Sequence, residues 1–228
     1  ARLVVGTNLY AFGKSSTPLS AQSPFAPCSE KGRIRAELEQ AALDANDRGD
    51  VPVALVRASD FYGPEVTESV LGDRFFGNLV KGKPAQLYGR KDVPHSYAYL
   101  RDFAETMAGV GTADDRPAIW GRSWIVPHAP AVTTAELEEL LGEIVEGARV
   151  NPMGRLMLRF GAIFVPAARE MIEMLYEFEE PFTVDSTETE RELGLSPMPL
   201  REGLVKTVEW YRGSGDGSDE KGVARANR

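Results

Sequence analysis

Residues 31–47, KGRIRAELEQAALDAND, decide how the chain is read. Ile34, Leu38, Ala41, Ala42 and Ala45 recur at three- and four-residue spacing, which predicts a helix with these side chains on one buried face. Ser29 is placed to cap its start, and Gly49 lies just past its end, where a left-handed backbone costs glycine little. Two short apolar runs flank it, Arg2-Leu3-Val4-Val5 and Val53-Ala54-Leu55-Val56, with the composition of buried parallel strands. Strand, long crossover with a helix, strand is a βαβ unit, and such crossovers are right-handed. The expected class is α/β, built on an open, doubly wound (Rossmann-like) parallel sheet. Ligands of such sheets sit beyond the carboxyl ends of the strands.

At those ends the chain reads Gly6-Thr7-Asn8-Leu9-Tyr10-Ala11-Phe12-Gly13 and Arg57-Ala58-Ser59-Asp60-Phe61-Tyr62-Gly63-Pro64. With the helix, these segments resemble the NAD-dependent epimerase/dehydratase family, the extended branch of the short-chain dehydrogenase/reductase superfamily. That family closes its first segment on Tyr-Gly, opens its helix with Tyr-x-x-x-Lys and writes its third segment Arg-x-x-Asn-x-Tyr-Gly-Pro. Holding Glu39 on the family's helix glutamate puts Lys31 in the place of the tyrosine and Arg35 in that of the lysine. Counting back from Gly13 puts Asn8 in the place of the catalytic Ser/Thr. The resemblance thus implies a rebuilt active site with Asn8, Lys31 and Arg35 as its catalytic set. It implies Thr7, Arg35, Ala58 and Ser59 beside an NAD or NADP cofactor, and Tyr10, Asp60, Tyr62 and His95 beside a small-molecule substrate. A lysine can move protons if burial or a neighbouring cation lowers its pKa, whereas an arginine holds its charge and only positions or polarises. Tyr10-Ala11-Phe12-Gly13-Lys14 also spells Tyr-x-x-x-Lys, but at a strand end, where i and i+4 need share no face.

Further on, Gly82, Pro84 and Gly89 match the family's Gly-x-Pro-x-x-x-x-Gly, Asp102 keeps the second aspartate of Arg-Asp-Phe-x-x-Val-Asp-Asp, and His95 stands where the family has an arginine that grips a diphosphate. Asp60 stands for the asparagine of the third segment. A carboxylate repels a phosphate, and histidine is a weaker, pH-dependent partner for one. Two charged contacts at ~1.5–3 kcal/mol each predict nucleotide-sugar binding weakened by two to four powers of ten. The alternative is a non-catalytic dinucleotide-fold protein with a binding or regulatory role, or an inactive, N-terminally truncated fragment. A dinucleotide site needs a Gly-rich turn after its first strand, and the chain contains none. The family carries that turn upstream, across several βα units of ~30 residues, so the chain is expected to hold only the C-terminal part of the doubly wound sheet and to lack roughly a hundred residues.

The expected domains are a C-terminal portion of the NAD(P)-binding domain, 1–65 rejoined by 101–128, and a smaller, mostly helical substrate domain, 66–100 with 129–212. Residues 213–228, glycine-rich and polar, read as a disordered tail. Within this frame helices are expected over 67–80, 101–110, 186–193 and 200–212, and strands over 85–89, 96–100, 119–126 and 182–185. Thr133-Thr134-Ala135-Glu136 has the pattern of a capping box opening a helix, with Leu137, Leu140, Leu141, Ile144 and Val145 inward. Residues 152–178 read as two helices broken near Pro166.

A net charge of −8 and the lack of a basic, aromatic-laced patch argue against nucleic acid. The single Cys28 rules out an intramolecular disulfide and fits a reducing, cytoplasmic setting. The opening residues lack the pattern of a signal peptide, and the apolar run 156–165 carries Arg159 and is too short to span a membrane. No metal-ligand spacing, Gly-x-Ser-x-Gly elbow or P-loop occurs. A homodimer is compatible with the class.

Overall fold

The βαβ unit forms as the runs of apolar residues predict. β1 (Leu3–Asn8), α1 (Glu30–Asp47) and β2 (Val53–Ala58) follow one another, and β2 pairs in parallel with β1 from Leu3↔Val53 to Asn8↔Ala58. β7 (Arg122–Ile125) returns to the other edge of β2, also parallel, giving the order β1-β2-β7. This computed structural model describes residues 1–113, 117–161 and 171–215. All six residues of β2 are buried, which is why that strand reads as an unbroken apolar run interrupted only by Arg57. β1 takes an edge of the three-stranded sheet.

Ser29 Oγ accepts the Gly32 N–H at 3.0 Å and caps α1, and Gly49 adopts φ +77° just beyond its end. The face that α1 buries differs from the expected one. Gly32, Ala36 and Glu39 turn inward, while Ile34 and Leu38 are 46% and 58% exposed. Two contacts set this rotation. A Cβ on Gly32 would lie 2.5 Å from the Tyr10 carbonyl oxygen, so only glycine permits that approach. Glu39 in turn reaches the buried Arg57.

α3 (Leu100–Gly111) packs on the sheet, its Val110 joining Ala54, Val56, Trp124 and Val126 in one core. The expected strand over 119–126 is shorter, because a 3-10 turn, Pro117–Ile119, precedes it and the Ile119 carbonyl accepts Trp124 Nε1–H at 3.0 Å. A second core gathers Leu71, Phe75, Phe76, Leu137, Leu141, Leu204 and Val208. Around it β4 (Ala85–Tyr88) pairs in parallel with β9 (Val150–Met153), and β5 (Pro94–His95) pairs antiparallel with β8 (Val132–Thr133). β3 (Asp60–Tyr62) pairs in parallel with β6 (Tyr97–Tyr99) and carries the chain from β2 toward that core.

Over 67–80 only α2 (Phe76–Leu79) is helical. Turns precede it: the Thr67 carbonyl accepts the Asp73 N–H, and a Cβ on Gly72 would lie 2.1 Å from that same oxygen. α4 (Thr134–Ile144) opens with both halves of the capping box. β9 takes in residues 152 and 153, the start of the stretch expected to be helical, and α5 (Arg155–Gly161) follows; Pro166 lies outside the described residues. In place of a strand over 182–185, two single bridges form, His95↔Phe182 and Leu19↔Val184. The helix Thr187–Leu193 stops at Gly194, φ +68°. The last helix, Leu200–Gly215, runs three residues into the expected tail, and 216–228 lie outside the described residues.

Candidate functional site

Beyond the carboxyl ends of β1 and β2 the chain encloses a cavity of about 450 Å³, walled by Asn8, Tyr10, Ser59, Asp60, Glu177 and Phe182 among others. The strand ends turn there because Asn8 Oδ1 accepts the Tyr10 N–H at 3.1 Å and starts the 3-10 turn Tyr10–Phe12. Tyr10, Asp60 and Glu177 thereby face one space from three distant segments.

Asp60 Oδ2 lies 3.0 Å from His95 Nε2, and His95 Nδ1 lies 3.0 Å from the Glu177 carbonyl oxygen. The His95 ring is 3% exposed, stacked against Phe178 and Phe182 with Tyr97 on its flank. It stands behind Asp60 and does not itself reach the cavity, contrary to the expectation of a substrate contact. Ser59 spends its groups inward as well: its Oγ–H donates to the Ser96 carbonyl at 2.6 Å and its N–H to His128 Nε2 at 3.3 Å. Burial holds His128 down to about 4, with His95 adding to the effect, so its imidazole is neutral and can accept that N–H.

Glu177 is 2% exposed. Burial first, then the charge of Asp60, pushes its carboxyl well above the usual range; a hydroxyl contact from Tyr176 at 3.3 Å and the charge of Lys31 oppose this. Burial also raises the Tyr10 phenol, with Asp60 and Glu177 adding and Arg35 opposing, so its hydroxyl keeps its proton. The cavity wall is therefore rich in acids that hold protons. Sequence reasoning passed over Glu177; its one signal was an acid inside the apolar run Met174-Leu175-Tyr176-Glu177-Phe178.

Lys31 and Arg35 are half-buried on α1, and their charges act on the cavity through Glu177 and Tyr10. Two expected site residues lie elsewhere. Tyr62 is buried in the second core with its ring 5.3 Å from that of Tyr99, because β3 has already left the sheet by that point. Thr7 donates its hydroxyl to Glu39 Oε1 at 2.5 Å. Glu39 Oε2 pairs with Arg57 Nη1 at 2.6 Å, both side chains are 1% exposed, and Arg57 Nε–H donates to Ser123 Oγ at 3.2 Å. Phe12 and Phe25 cover the guanidinium at 4.3 and 5.1 Å. Of the residues expected beside a dinucleotide, Ala58 and Ser59 stand on the cavity wall. Among the described residues no cluster of His, Cys, Asp or Glu could hold a metal ion.

A parallel sheet with a cavity beyond its strand ends is the arrangement of open α/β folds, which bind their ligands there. No family model matches the chain. It is 27% identical over 195 residues to a dTDP-glucose 4,6-dehydratase of Streptomyces griseus, covering 85% of this chain and 51% of that protein. To the dTDP-glucose 4,6-dehydratase of Salmonella typhimurium it is 26% identical over 194 residues, 82% of this chain and 48% of that one. Among solved structures, a dTDP-glucose 4,6-dehydratase of Streptomyces venezuelae with NAD bound superposes with a TM-score of 0.69 at 22% identity, over 94% of this chain and 61% of that chain. A UDP-glucuronic acid 4-epimerase of Bacillus cereus, in complex with NAD, gives a TM-score of 0.68 at 16% identity, over 92% and 61%. The chain spans about half the length of the curated relatives it matches. Its relatives and its neighbours in fold are of the NAD-dependent epimerase/dehydratase family, the family its motifs resemble.

Proposed function

We propose that the protein is an NAD(P)-dependent epimerase- or dehydratase-like enzyme, acting on a small molecule through a rebuilt active site. The observation that carries this reading is the cavity itself, where Asn8 and Asp60, from the two strand ends, meet Tyr10 and Glu177 at the place where such sheets bind ligands. NAD or NADP would supply the hydride acceptor or donor, with Ala58 and Ser59 along its edge and Arg35 near the ribose. Lys31, in the first turn of α1 and within the field of Glu177, takes the acid–base role expected of the family's tyrosine. Asn8 orients the substrate. His95 contributes from behind Asp60, and Tyr62 shapes the second core.

For the substrate, the acidic wall favours a less charged ligand than a nucleotide sugar, since Asp60 would lie against the diphosphate. A cytoplasmic location goes with this reading, supported by the free thiol of Cys28; among the described residues no helix is long and apolar enough to cross a membrane. A homodimer is supported by the outward Ile34 and Leu38 on α1, and sedimentation would show a monomer if that is wrong.

The test is turnover of a panel of dTDP- and UDP-sugars, and of smaller sugar phosphates, by the full-length protein with NAD or NADP, followed by chromatography. Cofactor-dependent turnover, abolished in Lys31→Met with the melting temperature within a few degrees of wild type, supports the reading. Binding without turnover across the whole panel would favour a non-catalytic role.

A further inference from the structure

The hydrogen bonds around His95 fix a proton count. Nδ1 faces the Glu177 carbonyl oxygen at 3.0 Å, and a carbonyl only accepts, so Nδ1 carries hydrogen. Nε2 faces Asp60 Oδ2 at 3.0 Å and, more distantly, Ser59 Oγ at 3.4 Å. The Ser59 hydroxyl is already donated to the Ser96 carbonyl, leaving lone pairs toward the ring. An ionised Asp60 also only accepts. A neutral imidazole opposite a carboxylate would leave two sets of lone pairs facing each other at that distance. One further proton must lie between Nε2 and Oδ2, whichever atom holds it.

We propose that Asp60 and His95 share this proton and act together as the acid–base pair of the cavity, Asp60 touching the ligand and His95 holding and supplying the proton from behind. This rests on the reading of the cavity as an active site. Dehydration requires one proton to be delivered to the leaving hydroxyl and another to be removed, which a second acid–base group beside Lys31 would serve. In delivery, an O–H bond forms on a hydroxyl or carbonyl oxygen of the ligand as the proton leaves the pair. The pair is left as carboxylate and neutral imidazole, with Nδ1–H still on Glu177. It regains a proton from the ligand or from water, and no other reactant is needed.

The surroundings suit such a store. Phe178, at a ring separation of 4.6 Å, and Phe182, at 5.3 Å, fix the plane of His95, so both nitrogens stay aimed. The titratable groups facing the pair are Tyr10, Tyr97, Glu177 and His128. Tyr10, Tyr97 and Glu177 are pushed toward their neutral, protonated forms and His128 toward its neutral form, leaving Lys31 and Arg35 as the nearby cations.

NMR of the protein labelled in histidine nitrogen and aspartate carbon, from about pH 5 to pH 9, tests this. At pH 7 the expected wild-type signature is one of two. Both ring nitrogens of His95 read as N–H beside an ionised Asp60, or Nδ1 alone reads as N–H beside a protonated Asp60. A bare Nε2 opposite an ionised Asp60 at pH 7 overturns the proposal. In Asp60→Asn, which is close in shape, the amide donates to Nε2, and His95 should read as neutral with Nδ1–H alone at pH 7. A His95 that still reads as N–H at both ring nitrogens in that variant also overturns it. In turnover, His95→Gln should lower kcat by a hundredfold or more with KM little changed and flatten the pH profile; an unaltered profile counts against the pair. If no sugar is turned over but the NMR signature holds, the reading of the cavity fails while the shared proton stands.

Discussion

Asp60 is the residue on which ligand choice turns. Its carboxyl oxygens stand on the cavity wall where the resembled family has an amide that can donate to a phosphate, so Asp60→Asn should strengthen the binding of dTDP- and UDP-sugars. One charged contact at ~1.5–3 kcal/mol corresponds to one or two powers of ten, read by competition across a sugar panel. An unimproved variant would mean that the diphosphate does not pass Asp60. His95→Arg, the other change toward the family, would instead disrupt the site, because the ring is packed between aromatic faces. Asp102 makes a separate prediction about pH. Burial lifts its carboxyl from 3.8 to about 6, helped by Glu105, while the Met198 N–H donated to Oδ2 at 2.7 Å opposes the rise. The folded chain thus binds this proton more readily than the unfolded one. The resulting stabilisation is complete below 3.8 and is lost as pH rises through about 6. Asp102→Asn keeps an acceptor for Met198 and has no charge to bury. It should unfold at higher denaturant than wild type at pH 8, by ~1–2 kcal/mol, and with little difference at pH 4. Equal gains at both pH values would exclude the carboxyl as the cause.

At the scale of elements, the parts that depend on neighbours in sequence were legible and those that depend on distant partners were not. The capping box at Thr133 and Glu136 was readable, since its two hydrogen bonds join residues three apart. Thr133→Ala should cost ~1 kcal/mol in chemical denaturation and leave the cavity's ligands unaffected. The ends of β1 and β2, and their convergence on Asn8 and Asp60, were readable because buried parallel strands declare themselves as apolar runs. The rotation of α1 was not. Its apolar residues keep helical spacing, yet burial followed Gly32 against Tyr10 and Glu39 against Arg57, contacts that no periodicity contains. Glu177 escaped for the same reason: its carbonyl meets His95 across 82 positions of sequence. The turns before α2 escaped because Leu71 and Phe75 are buried in turns as deeply as a helix would bury them.

For the whole molecule, the α/β class was legible in the apolar runs, as was the convergence of the strand ends on one space. The 228-residue chain has no Gly-rich turn, so it should bind NAD and NADP only weakly by itself. Titration calorimetry giving a sub-micromolar dissociation constant for either dinucleotide would refute this. The buried Arg57 also ties β1, α1, β2 and β7 into one unit through Glu39, Thr7 and Ser123, so the sheet and its cavity are set together. β1, at the sheet's edge, faces the other way. One row of its backbone donors and acceptors is committed to β2, and the opposite row is turned outward along six residues. Such a border acts as a template, with the spacing and direction for one more strand already set by the register of the sheet. Any extended segment that docks there would lengthen the sheet along β1 and bring its own end beside Asn8, at the rim of the cavity.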